Sequence, residues 1–170
     1  SYSIADLVEL AADVTNAGPT WSGRLEVRIE DLFGFEIATL LDLPVEDLSY
    51  GETLRHLATW PTGETYAGPY QARATLRDAT GEAVAEDLAA FTIGEAFQVT
   101  GQVETDRATY VSGGSVAITG RIDYPSGNAL LSGLRARLVV ESAAGELRRE
   151  WWISLGDLVP GATATVRRNW

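Results

Sequence analysis

Leu48-Ser49-Tyr50-Gly51-Glu52-Thr53, followed by Trp60, returns 110 residues later as Leu158-Val159-Pro160-Gly161-Ala162-Thr163 followed by Trp170. Both stretches read L-x-x-G-x-T-x6-W. Working outward, Asp47-Leu48 falls on Asp157-Leu158 and Ser22-Gly23 on Ser132-Gly133 at the same offset. Further upstream, Tyr2 and Val8-Glu9-Leu10 pair with Tyr110 and Val116-Ala117-Ile118 at an offset of 108. The slip is absorbed by a longer turn at Tyr124-Pro125-Ser126-Gly127-Asn128, and a second slip sits at Pro44-Val45-Glu46. Length changes confined to turns mark two copies of one fold, so the chain is an internal repeat.

Within each copy the apolar residues recur every second position, as on a strand with one buried face. Val8, Leu10, Ala12 and Val14 alternate with Leu7, Glu9, Ala11 and Asp13, and Val116, Ile118, Gly120 and Ile122 do the same in the second copy. Leu25, Val27 and Ile29 correspond to Ala136, Leu138 and Val140. Further strands follow over Phe35, Ile37, Leu41 and Leu43, over Leu54, His56, Ala58 and Trp60, and over Tyr70, Ala72, Ala74 and Leu76, with a last one ending at Phe91 and Ile93. Ala83 to Ala90 is open between strand and short helix. Gly, Pro, Asn and Asp clusters punctuate the segments at Asn16-Ala17-Gly18-Pro19, Pro61-Thr62-Gly63 and Asp78-Ala79-Thr80-Gly81. The pattern predicts an all-β chain of two sandwiches, residues 1–96 and 97–170, joined near Gly94 to Phe97. The copies are offset in content: the second opens with an extra strand over Phe97, Val99, Gly101 and Val103, while the first continues for two strands beyond Trp60. The first sandwich is therefore expected to lack its opening strand and the second its last two. Neighbouring chains, or a longer parent polypeptide, would supply them.

Val14-Thr15-Asn16-Ala17-Gly18, the L-x-x-G-x-T turn, Thr59-Trp60, Ala67-Gly68-Pro69-Tyr70 and Phe91-Thr92-Ile93 resemble the immunoglobulin-like modules strung in tandem through large secreted bacterial proteins. The nearest likeness is to the cell-adhesion-related domain found in bacteria. The resemblance covers most of both copies, although Ile122-Asp123-Tyr124-Pro125 replaces the V-T-N-x-G turn in the second. It implies two tandem immunoglobulin-like β-sandwiches, an extracellular or cell-surface location and no enzymatic activity. A stalk, adhesin or filament component is the expected role, with neighbouring domains or identical subunits as partners and a cell-surface or glycan target.

Composition narrows the chemistry. The 170 residues include no Cys, no Met and one His. Disulfides, thiolate metal sites and cysteine nucleophiles are thereby excluded, and one histidine cannot build a His-based metal cage. No apolar run approaches the roughly 18 residues of a membrane helix. Absence of Met and of a leader pattern predicts a processed protein or a piece of a longer one. The basic residues are all Arg, and the charge is uneven: up to Ala96 the chain has 17 carboxylates against 5 Arg, net −12, and from Phe97 it has 7 against 8, net +1. A chain at net −11 is repelled by nucleic acid. The split predicts charge attraction between neighbouring domains, weakening with salt.

No G-x-S-x-G elbow surrounds any Ser. His56 corresponds to Val166 in the other copy, which makes it a packing position. Carboxylate neighbours such as Glu30-Asp31, Glu46-Asp47 and Glu86-Asp87 point to opposite faces of a strand and do not converge. Glu95, Glu104 and Asp106 at the domain junction are where calcium would sit, but no D-x-D-x-D-G loop is present, and no cofactor is expected. Tyr70 is expected as a corner residue with a buried ring and its hydroxyl on nearby backbone. Trp60 and Trp170 fall on the inward phase. Trp152 falls on the outward phase, as does its counterpart Leu40, which predicts a covered surface shared by both copies. Leu40, Trp152, Arg135, Arg137 and Arg148 are accordingly the candidate interaction residues, with domain or subunit packing ranked ahead of a carbohydrate-binding module built on Trp152 and Trp21.

Overall fold

The period-two segments become eleven strands, with no helix, in a computed structural model that describes residues 1–3 and 5–170. The chain divides into two units, Ser1–Glu95 and Ala96–Trp170, each a β-sandwich. The first holds β1 (Leu7–Thr15), β2 (Trp21–Asp31), β3 (Glu36–Leu48), β4 (Thr53–Pro61), β5 (Gly68–Arg77) and β6 (Ala83–Ile93). The second holds β7 (Phe97–Thr105), β8 (Ala117–Gly127), β9 (Leu131–Glu141), β10 (Leu147–Leu158) and β11 (Thr163–Asn169).

In the first unit β1 pairs with β4, and the facing sheet runs β3-β2-β5-β6. Both pairings are antiparallel, with Val8 opposite Trp60 and Ile29 opposite Ala72. The apolar phases of the two sheets therefore meet. Val8 and Trp60 pack with Ile29, Tyr70, Ala72 and Ile93, and Val14 packs with Leu25, Val27, Val45 and Leu48. Each fully buried aliphatic side chain contributes roughly 1.5–3 kcal/mol. Residues 83–93, where periodicity allowed a short helix, form β6. Tyr2 makes a parallel bridge to Ile93, through Tyr2 N to Thr92 O at 2.9 Å and Gly94 N to Tyr2 O at 2.6 Å.

The repeat's turn has a structural cause. Gly51 and Gly161 adopt φ of 76° and 82°, the left-handed region that penalises a Cβ. Each turn is then clasped from the strand that pairs with the one after it: Gly51 N donates to Asn16 O and Asn16 N to Glu52 O just past β1, while Gly161 N donates to Tyr124 O and Tyr124 N to Ala162 O in β8. Asn16 and Tyr124 thus hold the same place.

The second unit has the three-stranded sheet β11-β8-β7 facing the pair β10-β9. Its core is smaller: Val116, Ile118 and Leu138, with Tyr110, Val140, Trp151 and Ile153 packed around them. β8 runs through what the sequence marks as a turn, as far as Gly127.

Three placements correct the sequence expectation. Leu40 does not face outward. The register of β2 against β3 steps from Val27 opposite Leu41 to Arg28 opposite Thr39, a bulge that leaves Leu40 without an opposite residue. Its side chain turns inward and packs with Ala38 on the Ile29–Trp60 cluster. Phe35 and Ile37 are exposed rather than core: Phe35 precedes β3, and Ile37 lies in a second bulge, where the register steps from Ile29 opposite Ala38 to Glu30 opposite Glu36. Trp170 is 52% exposed where its counterpart Trp60 is 6%. Trp60 is covered by the rings of Tyr70 and Phe91, from β5 and β6, at centroid distances of 6.2 and 6.1 Å. Trp170 has no such neighbours among the described residues.

Candidate functional site

The difference between the two units defines the site. β2 is flanked by β3 on one edge and β5 on the other. β9, its repeat counterpart, is flanked by β10 alone. On β2, Glu30 is buried and accepts hydrogen bonds from Arg73 Nε and Gln71 Nε2 of β5, both at 3.0 Å. The equivalent Glu141 of β9 is exposed. Ala136 and Val140, which match the fully buried Leu25 and Ile29, are only partly covered. One edge of β9 is thus an unpaired ladder beside apolar side chains, a ready acceptor for another strand.

On the outer face of the same sheet, Arg137 lies opposite Trp152 and Arg135 opposite Ser154. Trp152 is 56% exposed, and the Arg135 and Arg137 guanidiniums lie 5.4 and 5.9 Å from its ring centroid. Such cation–π contacts hold the indole in place. Arg137 Nε also donates to Glu150 at 2.6 Å, and Arg148 is engaged by Glu146 at 2.7 Å. Trp152, Arg135, Arg137 and Arg148 therefore share one sheet, whereas Leu40 belongs to the interior of the other unit. The bulge in β3 has no signal in residue periodicity, which is why the pairing of Leu40 with Trp152 failed.

Other candidates resolve into structural roles. Tyr70 donates its hydroxyl to Tyr66 O at 2.8 Å, the corner contact, and burial pushes its pKa upward. Asp106 accepts from the Tyr110 hydroxyl at 2.6 Å and from Ala117 N at 2.9 Å, which hold its carboxyl below the ordinary range. Asp123 is likewise lowered, by the Thr163 hydroxyl and then Arg121. Among the described residues no group of three or more His, Asp or Glu is arranged to hold a metal ion. His56 lines a cleft of about 410 Å³ between the sheets of the first unit, floored by Ala12, Ala58, Ala72 and Ala74, and its Nε2 is buried without a partner. Glu86 lines the same cleft but is bound by Arg73 at 3.0 Å. Sequence reasoning missed Tyr124, fully buried with its hydroxyl on Ala129 O, and Asn128, whose Oδ1 accepts from Ala96 N at 2.8 Å.

No protein-family model matches the chain, and no curated protein does. Among solved structures the chain is similar to the exo-chitosanase CsxA of Amycolatopsis orientalis, at 17% identity and a TM-score of 0.35, over 94% of this chain and 22% of that one. It is similar also to the exo-β-D-glucosaminidase CsxA inhibited by a glucosamine-configured castanospermine and an amino-australine analogue, at 16% identity and a TM-score of 0.34, over 94% of this chain and 22% of that one.

Proposed function

We propose that the chain is a structural and interaction segment, two consecutive immunoglobulin-like sandwiches of a secreted or cell-surface protein, without a reaction of its own. It serves as part of a stalk, adhesin or filament and is completed by neighbouring polypeptide. One observation carries this reading: β9 is paired on one edge only, next to partly uncovered apolar side chains, where the counterpart β2 has β5 and β6 beyond it, and Trp170 is half exposed where Trp60 is covered by residues of those strands. A small domain has only a few kcal/mol of net stability, so an unpaired ladder over exposed core favours a strand that covers both. The experiment appends residues 61–93 of this chain after Trp170, the order in which they follow Trp60. Acceptance of the strands protects Trp170 from acrylamide quenching, judged against the Trp170→Phe variant, and raises the melting temperature. Unchanged quenching and melting would refute the acceptor.

A carbohydrate-binding accessory module is the second reading, favoured by the exposed Trp152 ring. Glycan arrays with Trp152→Ala as the control decide it: a glycan signal that the substitution abolishes replaces the packing role of this face.

A further inference from the structure

We infer that β7 is a self-pairing edge, joining two copies of the chain across a twofold axis at Gly101. This deepens the interaction role proposed above and names its partner, a second copy.

β7 ends the sheet β11-β8-β7 and is hydrogen-bonded to β8 alone. All nine of its residues are exposed, including Phe97 at 60%, Val99 at 42% and Val103 at 65%. Proteins ordinarily blunt such edges with Pro, bulges or charge. In this chain β3 carries Pro44 and its own bulge, β10 carries Arg148, Arg149 and Glu150, and β11 carries Arg167 and Arg168. β7 has no Pro and a single charged residue, Glu104. The register against β8 steps from Gln98 opposite Ser126 to Thr100 opposite Asp123, so the extra residue lies on β8 and β7 itself stays regular.

Its sequence, Phe97-Gln98-Val99-Thr100-Gly101-Gln102-Val103-Glu104-Thr105, is complementary to itself when reversed about Gly101. Val99 then meets the partner's Val103, Gln98 meets the partner's Glu104, and Thr100 meets the partner's Gln102. The two valines of each copy meet the valines of the other on one face, each carboxylate finds an amide donor, and Phe97 falls opposite the partner's Thr105 at the ends. A one-residue slip would put apolar residues opposite polar ones on the other face, and a two-residue slip would leave Glu104 without Gln98, so one register is favoured. The occupant is a second copy rather than an unrelated strand, because the match is to β7's own sequence. The part of the chain that carries β7 is close to neutral, at net +1 from Phe97 onward, so repulsion between copies arises from the part before it, at −12.

The chain has no Cys, so an introduced thiol is the sole one. A Cβ at Gly101 meets nothing within 4 Å. Gly101→Cys places two thiols at the twofold axis, whereas Thr105→Cys faces the partner's Phe97 and not itself. Under mild oxidation Gly101→Cys should cross-link about tenfold faster than Thr105→Cys, and the unsubstituted protein should sediment as a monomer–dimer equilibrium. Val103→Lys, at an exposed position that folding tolerates, should weaken the dimer about tenfold by setting a lysine against the partner's Val99. Equal cross-linking of the two thiols, Val103→Lys dimerising like the parent, or a parent that stays monomeric, each overturns the pairing. Because the strand-appending experiment reads Trp170 within one copy, it can succeed when this one fails, and the two failures are distinguishable.

Discussion

The Tyr124 ring is fully buried, and its hydroxyl donates to Ala129 O at 2.9 Å. A Cβ added to Gly127 would lie 2.1 Å from that hydroxyl, so the glycine and the tyrosine fit only each other. Tyr124→Phe keeps the ring and leaves the carbonyl of the buried Ala129 without its donor, which costs about 1–3 kcal/mol of stability by urea denaturation. A loss near zero would mean that water replaces the hydroxyl. The comparable contact of Tyr70 was legible, because Ala67-Gly68-Pro69 announces a strand start before it. Tyr124 was not, since Tyr-Pro-Ser-Gly-Asn is turn vocabulary. Pro125 is nonetheless tolerated in β8 because it falls inside the bulge, where no β7 residue is paired with it.

At the scale of elements, Trp60 and Trp170 are the sharpest internal comparison. Both follow the same turn at the same spacing, yet one is walled in by Tyr70 and Phe91 and the other is half exposed. Trp60→Ala should cost the first unit about 3–5 kcal/mol, as large aromatic truncations in a core do. Trp170→Ala should move the second unit by no more than about 0.5 kcal/mol, the range of surface changes. Separate denaturation transitions for the two units, or hydrogen exchange on β4 and β11, measure the pair; equal losses would show Trp170 to be core. Most strands were legible because one face of each is buried, which writes period two into the residues. Two features left no such trace. The β3 bulge inverts the alternation at Leu40 by adding one residue, and side-chain order alone does not mark an added residue. Trp170 was misplaced because inward phase fixes direction, while burial needs a facing strand.

At the scale of the molecule, the charge split predicts attraction between unlike halves, and part of the second unit's positive charge is already paired within that unit. Arg121 is bound to Asp123, Arg137 to Glu150 and Arg148 to Glu146, whereas Arg135, Arg149, Arg167 and Arg168 make no ion pair among the described residues. The carboxylate excess before Phe97 has no such compensation, since five Arg face 17 Asp and Glu there. Two copies meeting through β7 therefore carry like net charge of −11 each, and their repulsion acts over the Debye length, about 30 Å at 0.01 M salt and about 8 Å at 0.15 M. Contacts within the pairing are backbone hydrogen bonds, Val99 against the partner's Val103, and the neutral Gln98 amide with the partner's Glu104; none is an ion pair, so salt at these levels alters them little. Raising ionic strength from 0.01 to 0.15 M should thus strengthen self-association, by screening repulsion while leaving the contact intact. Sedimentation equilibrium across that range reads the sign directly. Association that weakens with salt would instead assign the assembly to the arginines of the second unit meeting the carboxylates of the first.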